Sequence, residues 1–338
     1  MTQRARLAGL STALLLLAAA ASAALAQPAD FYRGRTITIY VGFAPGGGND
    51  GYARLLSRHM GRHIPGNPTI IVENAPGAGS AHAIAAMDAQ AKDGTALATF
   101  SADLINGALL DPEHVKVDFA KYIWLGSTAL DDRMCDAATA SGITSYDSLM
   151  KAKQFVVGTA APGSVSYTLG AILKNMFHAP VKFVQGYQSS AEENTAMERG
   201  ELDGLCATWS TSVRPDMIRD GKVKVIAWFV PMKAPGTEAA PYLVDIAKTD
   251  KDKQILRFLE SVAEIGRPYL MSNQVPPDRV ALLRKAFDET VTDPQAIEDS
   301  KKANLPFSAV SGEGTAKVVQ QIYGAPADII AAARVIAK

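Results

Sequence analysis

Three times along this chain a short β-rich run ends in a small-residue turn and opens into a helical pattern. The clearest case is residues 41–62, VGFAPGGGNDGYARLLSRHMGR, where an apolar run closes on Pro45, Gly46, Gly47 and Gly48. Gly158-Thr159-Ala160-Ala161-Pro162-Gly163-Ser164-Val165-Ser166 repeats the arrangement, and Gln185-Gly186-Tyr187-Gln188-Ser189-Ser190 does so again. A strand that runs through such a turn into a helix leaves backbone N–H groups unpaired at the helix start. With the positive end of the helix dipole they form an anion site. Glycine there admits unusual dihedrals and close approach of a ligand to the backbone. Three such turns in one chain point to strand ends converging on one crevice, where open sheets place ligands. The alternative is three unrelated connections.

The rest of the pattern fits that reading. Strands are expected at 36–41, 69–72, 97–100, 155–157, 181–184, 202–207 and 223–230. Between them lie helical stretches at 52–63, 82–91, 145–153, 166–177, 191–199 and 211–219. After residue 230 the chain turns mostly helical, at 253–262, 277–290, 294–302 and 315–322. Such alternation predicts an α/β protein with largely parallel sheets. Ser189 with Glu192, and Ser190 with Glu193, form two overlapping capping boxes at one helix start.

The first 26 residues set the expected compartment. Arg4 and Arg6 precede an apolar stretch that ends in Ala24-Leu25-Ala26, the form of a secretory signal peptide cleaved before Gln27. No later segment approaches the roughly 18–20 apolar residues of a membrane span, so an exported, soluble protein is expected. Removing the two arginines, with no acid among those 26 residues, leaves 32 basic against 34 acidic residues. That balance gives no reason to expect nucleic acid or an anionic membrane as partner. Roughly 310 residues exceed one comfortable core, so two lobes are expected. Crossings between them are expected at 122–126 and 225–229. Cys135 and Cys206 are the only cysteines, and in an oxidising compartment such a pair is read as a disulfide, with two buried thiols as the alternative.

Enzyme signatures are weak. Gly46-Gly47-Gly48-Asn49-Asp50-Gly51 satisfies G-x-G-x-x-G, and Glu73 ends the next strand where a ribose-binding acid would stand. Export and the stiffening Pro45 argue against a nicotinamide cofactor. His59 and His63 have i,i+4 spacing without the glutamate of H-E-x-x-H, and Ser148 with Lys151 forms an unaccompanied S-x-x-K. No metal site and no cofactor are expected.

The turn residues also carry a family likeness. Phe43-Ala44-Pro45-Gly46-Gly47-Gly48-Asn49-Asp50 with Ala53-Arg54, followed by Val72-Glu73-Asn74-Ala75-Pro76-Gly77-Ala78-Gly79, resembles the periplasmic solute-binding proteins of tripartite tricarboxylate transporters, the Bug receptor family. Gly163-Ser164 with Gly170, Tyr187, and Gly200-Glu201-Leu202-Asp203 extend the likeness. The resemblance implies a two-lobed (type II) periplasmic binding fold, each lobe a mixed, mostly parallel sheet flanked by helices. Lobe one would comprise 27–125 and 230–338, and lobe two 126–229. A non-catalytic receptor, expected as a monomer, would deliver a small organic carboxylate to the membrane subunits of a transporter. A periplasmic enzyme using the same crevice and a ligand sensor are the rival readings.

The resemblance further implies that backbone amides and ordered water, not an arginine, hold one end of the carboxylate. By position, Pro45, Gly46, Gly47, Gly48 and Asp50 would form the first loop, Ser101 and Asn106 the second, Thr159 and Ser164 the third. Tyr187, Ser189 and Ser190 would form the fourth. Three departures stand out: Ser80 for a glycine, Tyr167 for a histidine, and Ala207-Thr208 for Asp-Asn. Trp209, Tyr187, Tyr167 and Thr208 are therefore expected around the ligand's distal part, favouring aromatic or longer aliphatic acids over citrate.

Overall fold

The computed structural model describes residues 31–337, apart from 161–163, 188, 214 and 232–233. The expected signal peptide lies outside the described residues. No helix among the described residues is long and apolar enough to cross a membrane.

The chain first builds a strand of alternating apolar and β-branched residues, β1 (Thr36–Val41). Helix α1 (Gly48–Met60) returns it to β2 (Thr69–Asn74), and α2 (Ala81–Asp88) leads to β3 (Ala96–Thr99). Both β2 and β3 pair parallel to β1. After α3 (Asp103–Leu110) comes β4 (Ile123–Ser127), whose end begins the passage to a second sheet at β5 (Arg133–Ala138). There α4 (Tyr146–Lys151), β6 (Phe155–Thr159), α5 (Val165–Asn175), β7 (Val181–Gln185), α6 (Ser190–Glu198) and β8 (Gly204–Thr208) follow. Two short helices, α7 (Trp209–Ser212) and α8 (Pro215–Arg219), precede β9 (Val223–Trp228). The chain returns through α9 (Leu243–Ile246) and α10 (Asp250–Glu260) to β10 (Pro268–Met271) in the first sheet. It then adds α11 (Pro277–Thr292), α12 (Pro294–Lys302), β11 (Val310–Ser311), α13 (Gly312–Tyr323) and α14 (Ala327–Ile336).

The first sheet has the order β11-β4-β10-β3-β1-β2 and the second β7-β6-β8-β5-β9. Both are mixed and flanked by helices, as expected of this α/β class. Parallel pairing does not predominate, however. β1–β2, β1–β3, β6–β7 and β6–β8 are parallel, and every antiparallel pairing involves β4, β5 or β10. Those are the strands at which the chain leaves or re-enters a sheet. Segment 122–126, expected as a crossing, is almost wholly β4, and the passage itself is 128–132. The region after 230 is mostly helical but also supplies β10 and β11.

Cys135 and Cys206 stand directly opposite each other on β5 and β8, with Cα atoms 4.0 Å apart, and are joined as a disulfide. The largest apolar cluster runs from Phe100, Phe119 and Trp124 through Leu256 and Leu259 of α10 to Phe155 and Ile226 in the second sheet.

Candidate functional site

The two sheets meet at a cavity of about 100 Å³, and the glycine turn shows how its wall is made. Gly46 adopts φ +95°, a left-handed conformation that suits glycine. Its N–H donates to Asp50 Oδ2 at 3.0 Å. Asp50 also accepts from Asn74 Nδ2 at 2.9 Å and from Arg54, and Asn74 donates to the Phe43 carbonyl at 2.8 Å. Burial pushes the Asp50 carboxyl up, but Arg54, the Gly46 N–H and Asn74 outweigh it and hold the carboxyl below its usual range. Asp50 thus lies buried behind the wall and clamps the turn, while Pro45 and Gly46 are exposed and do not line the cavity. What the turn presents to the cavity is Gly47, Gly48 and Asn49. Gly47 is the N-cap of α1 and no side chain caps that end. The Asn49 Oδ1 is buried with no hydrogen-bond partner among the described residues.

Two more helices start on the same cavity. Ser164 caps α5, accepting from the Tyr167 N–H at 3.4 Å, and Ser164, Val165 and Ser166 line the wall. Ser189 caps α6, accepting from the Glu192 N–H at 3.4 Å, and Ser189 and Ser190 line it too. Behind them Thr159, fully buried, shares a 3.1 Å hydrogen bond with Ser164 Oγ, which lies 3.4 Å from Ser166 Oγ. Three helix N-termini, two from the second sheet and one from the first, aim their partial positive charge into one space. Phe43, Ala160, Tyr187, Glu193, Cys206, Ala207, Thr208, Ser212 and Arg267 complete the wall. Larger hollows exist elsewhere, such as one of about 1160 Å³ beside α11, but they do not gather these helix starts.

No family model and no curated protein matches the sequence. Among solved structures the chain is similar to the periplasmic binding protein BugD, 18% identical with a TM-score of 0.71, covering 89% of this chain and 97% of that one. It is similar to MatC from Rhodopseudomonas palustris with bound malate, 19% identical with a TM-score of 0.70, covering 88% and 99%. A TctC solute-binding protein from Polaromonas matches at 20% identity and a TM-score of 0.61, covering 87% and 96%. The chain has the two-lobed fold of the periplasmic binding proteins. At these identities the likeness is one of fold.

Within that binding-protein fold, Gly47, Gly48, Ser164, Tyr187, Ser189, Ser190 and Thr208 of the sequence-derived set line the cavity. Ser101 and Asn106 do not. The Ser101 N–H donates to Ser80 Oγ at 2.8 Å, and Asn106 Nδ2 donates to the Phe258 and Leu259 carbonyls, tying α3 to α10. Ser80 itself has φ +83°, which explains a glycine preference at that position. Tyr167 stacks on Phe183 with centroids 4.9 Å apart, and Trp209 packs against Trp228 at 5.8 Å, both off the wall. Tyr187 and Phe43 provide what aromatic surface the cavity has.

Two charged wall residues went unread in the sequence. Arg267 stands on the wall, where the family resemblance implied a grip without an arginine, but its guanidinium is drawn to Asp131, which also accepts from Thr208 Oγ1 at 3.2 Å. Glu193 had been visible only as half of a capping box. Ser189 takes the capping role instead, and Glu193 is 4% exposed on the cavity wall.

Proposed function

We propose that this protein is an exported, non-catalytic receptor that captures a small organic carboxylate between two lobes and passes it to a transporter of the tripartite tricarboxylate type. The observation that carries this reading is the convergence of the α1, α5 and α6 N-termini on one cavity. Lobe one is assigned to 27–125 and 230–338, lobe two to 126–229, with residues 1–26 as the export signal and the mature chain as a monomer. Two structures of the same fold contain small acids, malate in MatC and adipate in another R. palustris protein (14% identical, TM-score 0.69). That supports a carboxylate here. The wall offers amides, hydroxyls, a buried carboxyl and a salt-bridged arginine, and Cys206 is held in its disulfide. Such a set favours holding an acid over turning it over. Closure on the ligand would be a hinge motion about the 128–132 passage and its return.

A thermal-shift screen of dicarboxylates, tricarboxylates, aromatic acids and amino acids on the mature protein tests the reading. A ligand at 100 times its Kd should add about 2.7 kcal/mol to stability. No shift with any of them, or consumption of a bound acid, would overturn the receptor assignment.

Gly47→Val tests the site. Gly47 has φ −87° and ψ 174°, which valine tolerates, and an added Cβ would lie 4.0 Å from Ser189 Cβ across the cavity mouth. The γ-methyls would then occupy the space of a ligand at the α1 N-terminus. Affinity should fall by roughly 100-fold, about 2.7 kcal/mol, with the melting temperature of the empty protein little changed. Unchanged affinity by calorimetry would remove this turn from the site.

A further inference from the structure

Glu193 lies in the first turns of α6, and helical side chains lean back toward the N-terminus of their helix. Its stem packs against the open face of Gly158, which Tyr187 also approaches. A Cβ on Gly158 would lie only 2.9 Å from Tyr187 Cδ2 and 3.1 Å from Glu193 Cγ. Its carboxyl is hydrogen-bonded to the Ser166 hydroxyl in the first turn of α5. The group is therefore held between the starts of α5 and α6, on the wall that would receive the ligand's carboxylate. Among the described residues no lysine or arginine forms a salt bridge with it. Two carboxylates side by side in a site closed to water do not both stay ionised, so one of the pair keeps a proton.

Resting on the receptor reading above, we propose that Glu193 binds ligand as the neutral acid, donating its O–H to the bound carboxylate, so that the site takes up the acid only while this proton is in place. An O–H···O⁻ hydrogen bond of this kind is short and strong. No covalent step is involved, and the proton stays shared between the two carboxyl groups. The surroundings agree. Burial pushes the Glu193 carboxyl up to about 8, against the Ser166 hydrogen bond and helped by Glu192 and Asp136. The charged and titratable groups around it are Glu192 on α6, Asp136 on β5, Tyr187 before α6 and Arg267 across the cavity. Asp136, itself pushed up by burial to about 7, is the one that needs a control.

The sign follows directly. Below about pH 8 the empty site already holds the proton, so affinity is flat. Above it the proton must be taken from solvent, and the apparent Kd rises by roughly tenfold per pH unit. Calorimetry with malate, adipate and benzoate as probes, from pH 6.5 to 10 in buffers of differing ionisation heat, reads both effects. Proton uptake should be near zero at pH 6.5 and approach one above pH 9. Glu193→Gln keeps a donor but never titrates. It should bind roughly tenfold more weakly at pH 7 with a flat profile, so that the two curves cross near pH 9. Asp136→Asn should leave the wild-type slope in place. A wild-type affinity that is constant to pH 10 while Gly47→Val still weakens binding would overturn the proton proposal and leave the receptor reading standing. A slope that survives Glu193→Gln, or vanishes in Asp136→Asn, would also overturn it. If Glu193→Gln does not fold, the wild-type proton count and the Asp136→Asn profile decide alone. No binding of any probe at any pH would defeat the carboxylate-receptor reading itself.

Discussion

Replacing both Cys135 and Cys206 by alanine should lower the stability of the protein by about 4 kcal/mol, the entropy that a chain-closure argument assigns to a loop of this length. The two residues are 71 apart in sequence, and the bond ties the first strand of the second sheet to its central partner. Without it, the unfolded segment between them regains freedom that refolding must again remove. Both side chains are fully buried, so alanine also leaves space in the core. Urea denaturation of the double variant, beside the wild type with and without reductant, measures the effect. Because Cys206 also lines the cavity, ligand affinity should fall in the same variant. A cost below 1 kcal/mol would mean that the β5–β8 ladder holds its register by pairing and packing alone.

How much of this was legible in the residues depended on how local the signal was. The strands of the βα units read well because runs such as TITIYV combine β-branched residues with a turn at their end. The N-termini of α1, α5 and α6 were visible for the same reason, since turn, cap and helix are contiguous. β5 and β10 were missed. β5 reads RMCDAA, and its Arg133 and Asp136 look like surface residues until their partners, 30 and 69 positions away, are known. β10 is four residues long and starts with proline. Asp50 was read as part of a ligand loop, and it belongs to that loop, but as the clamp that uses up the Gly46 N–H. Glu193 showed only as half of a capping box and Arg267 gave no signal, because what puts a charged side chain on a cavity wall is the meeting of segments far apart in sequence. Tyr167 and Trp209 erred the other way. Each found an aromatic neighbour, Phe183 and Trp228, and turned from the cavity.

Asp103→Ala should destabilise the protein by about 3–5 kcal/mol, the cost of leaving a buried charge short of its partner. Arg133 is 1% exposed at the start of β5. Its Nη1 and Nη2 donate to the two Asp103 oxygens at 2.9 and 3.1 Å, and Nη2 also donates to Asp131 at 3.1 Å. Burial works against the guanidinium charge, but Asp103 and Asp131 outweigh it and keep Arg133 protonated. Asp131, on the passage between the sheets, in turn holds Arg267. The chain of ions thus links α3 of the first sheet, the passage, the first strand of the second sheet and the cavity wall. Removing Asp103 leaves Arg133 with one acid for a geometry built on two. Replacing both ends of the pair with apolar residues, as in Asp103→Leu with Arg133→Met, removes the unpaired charge and should cost less than the two single changes added together. A double-mutant cycle by urea denaturation gives the coupling. Singles that each cost under 1 kcal/mol, or a double that is simply additive, would show that this buried network contributes little to holding the two sheets in place.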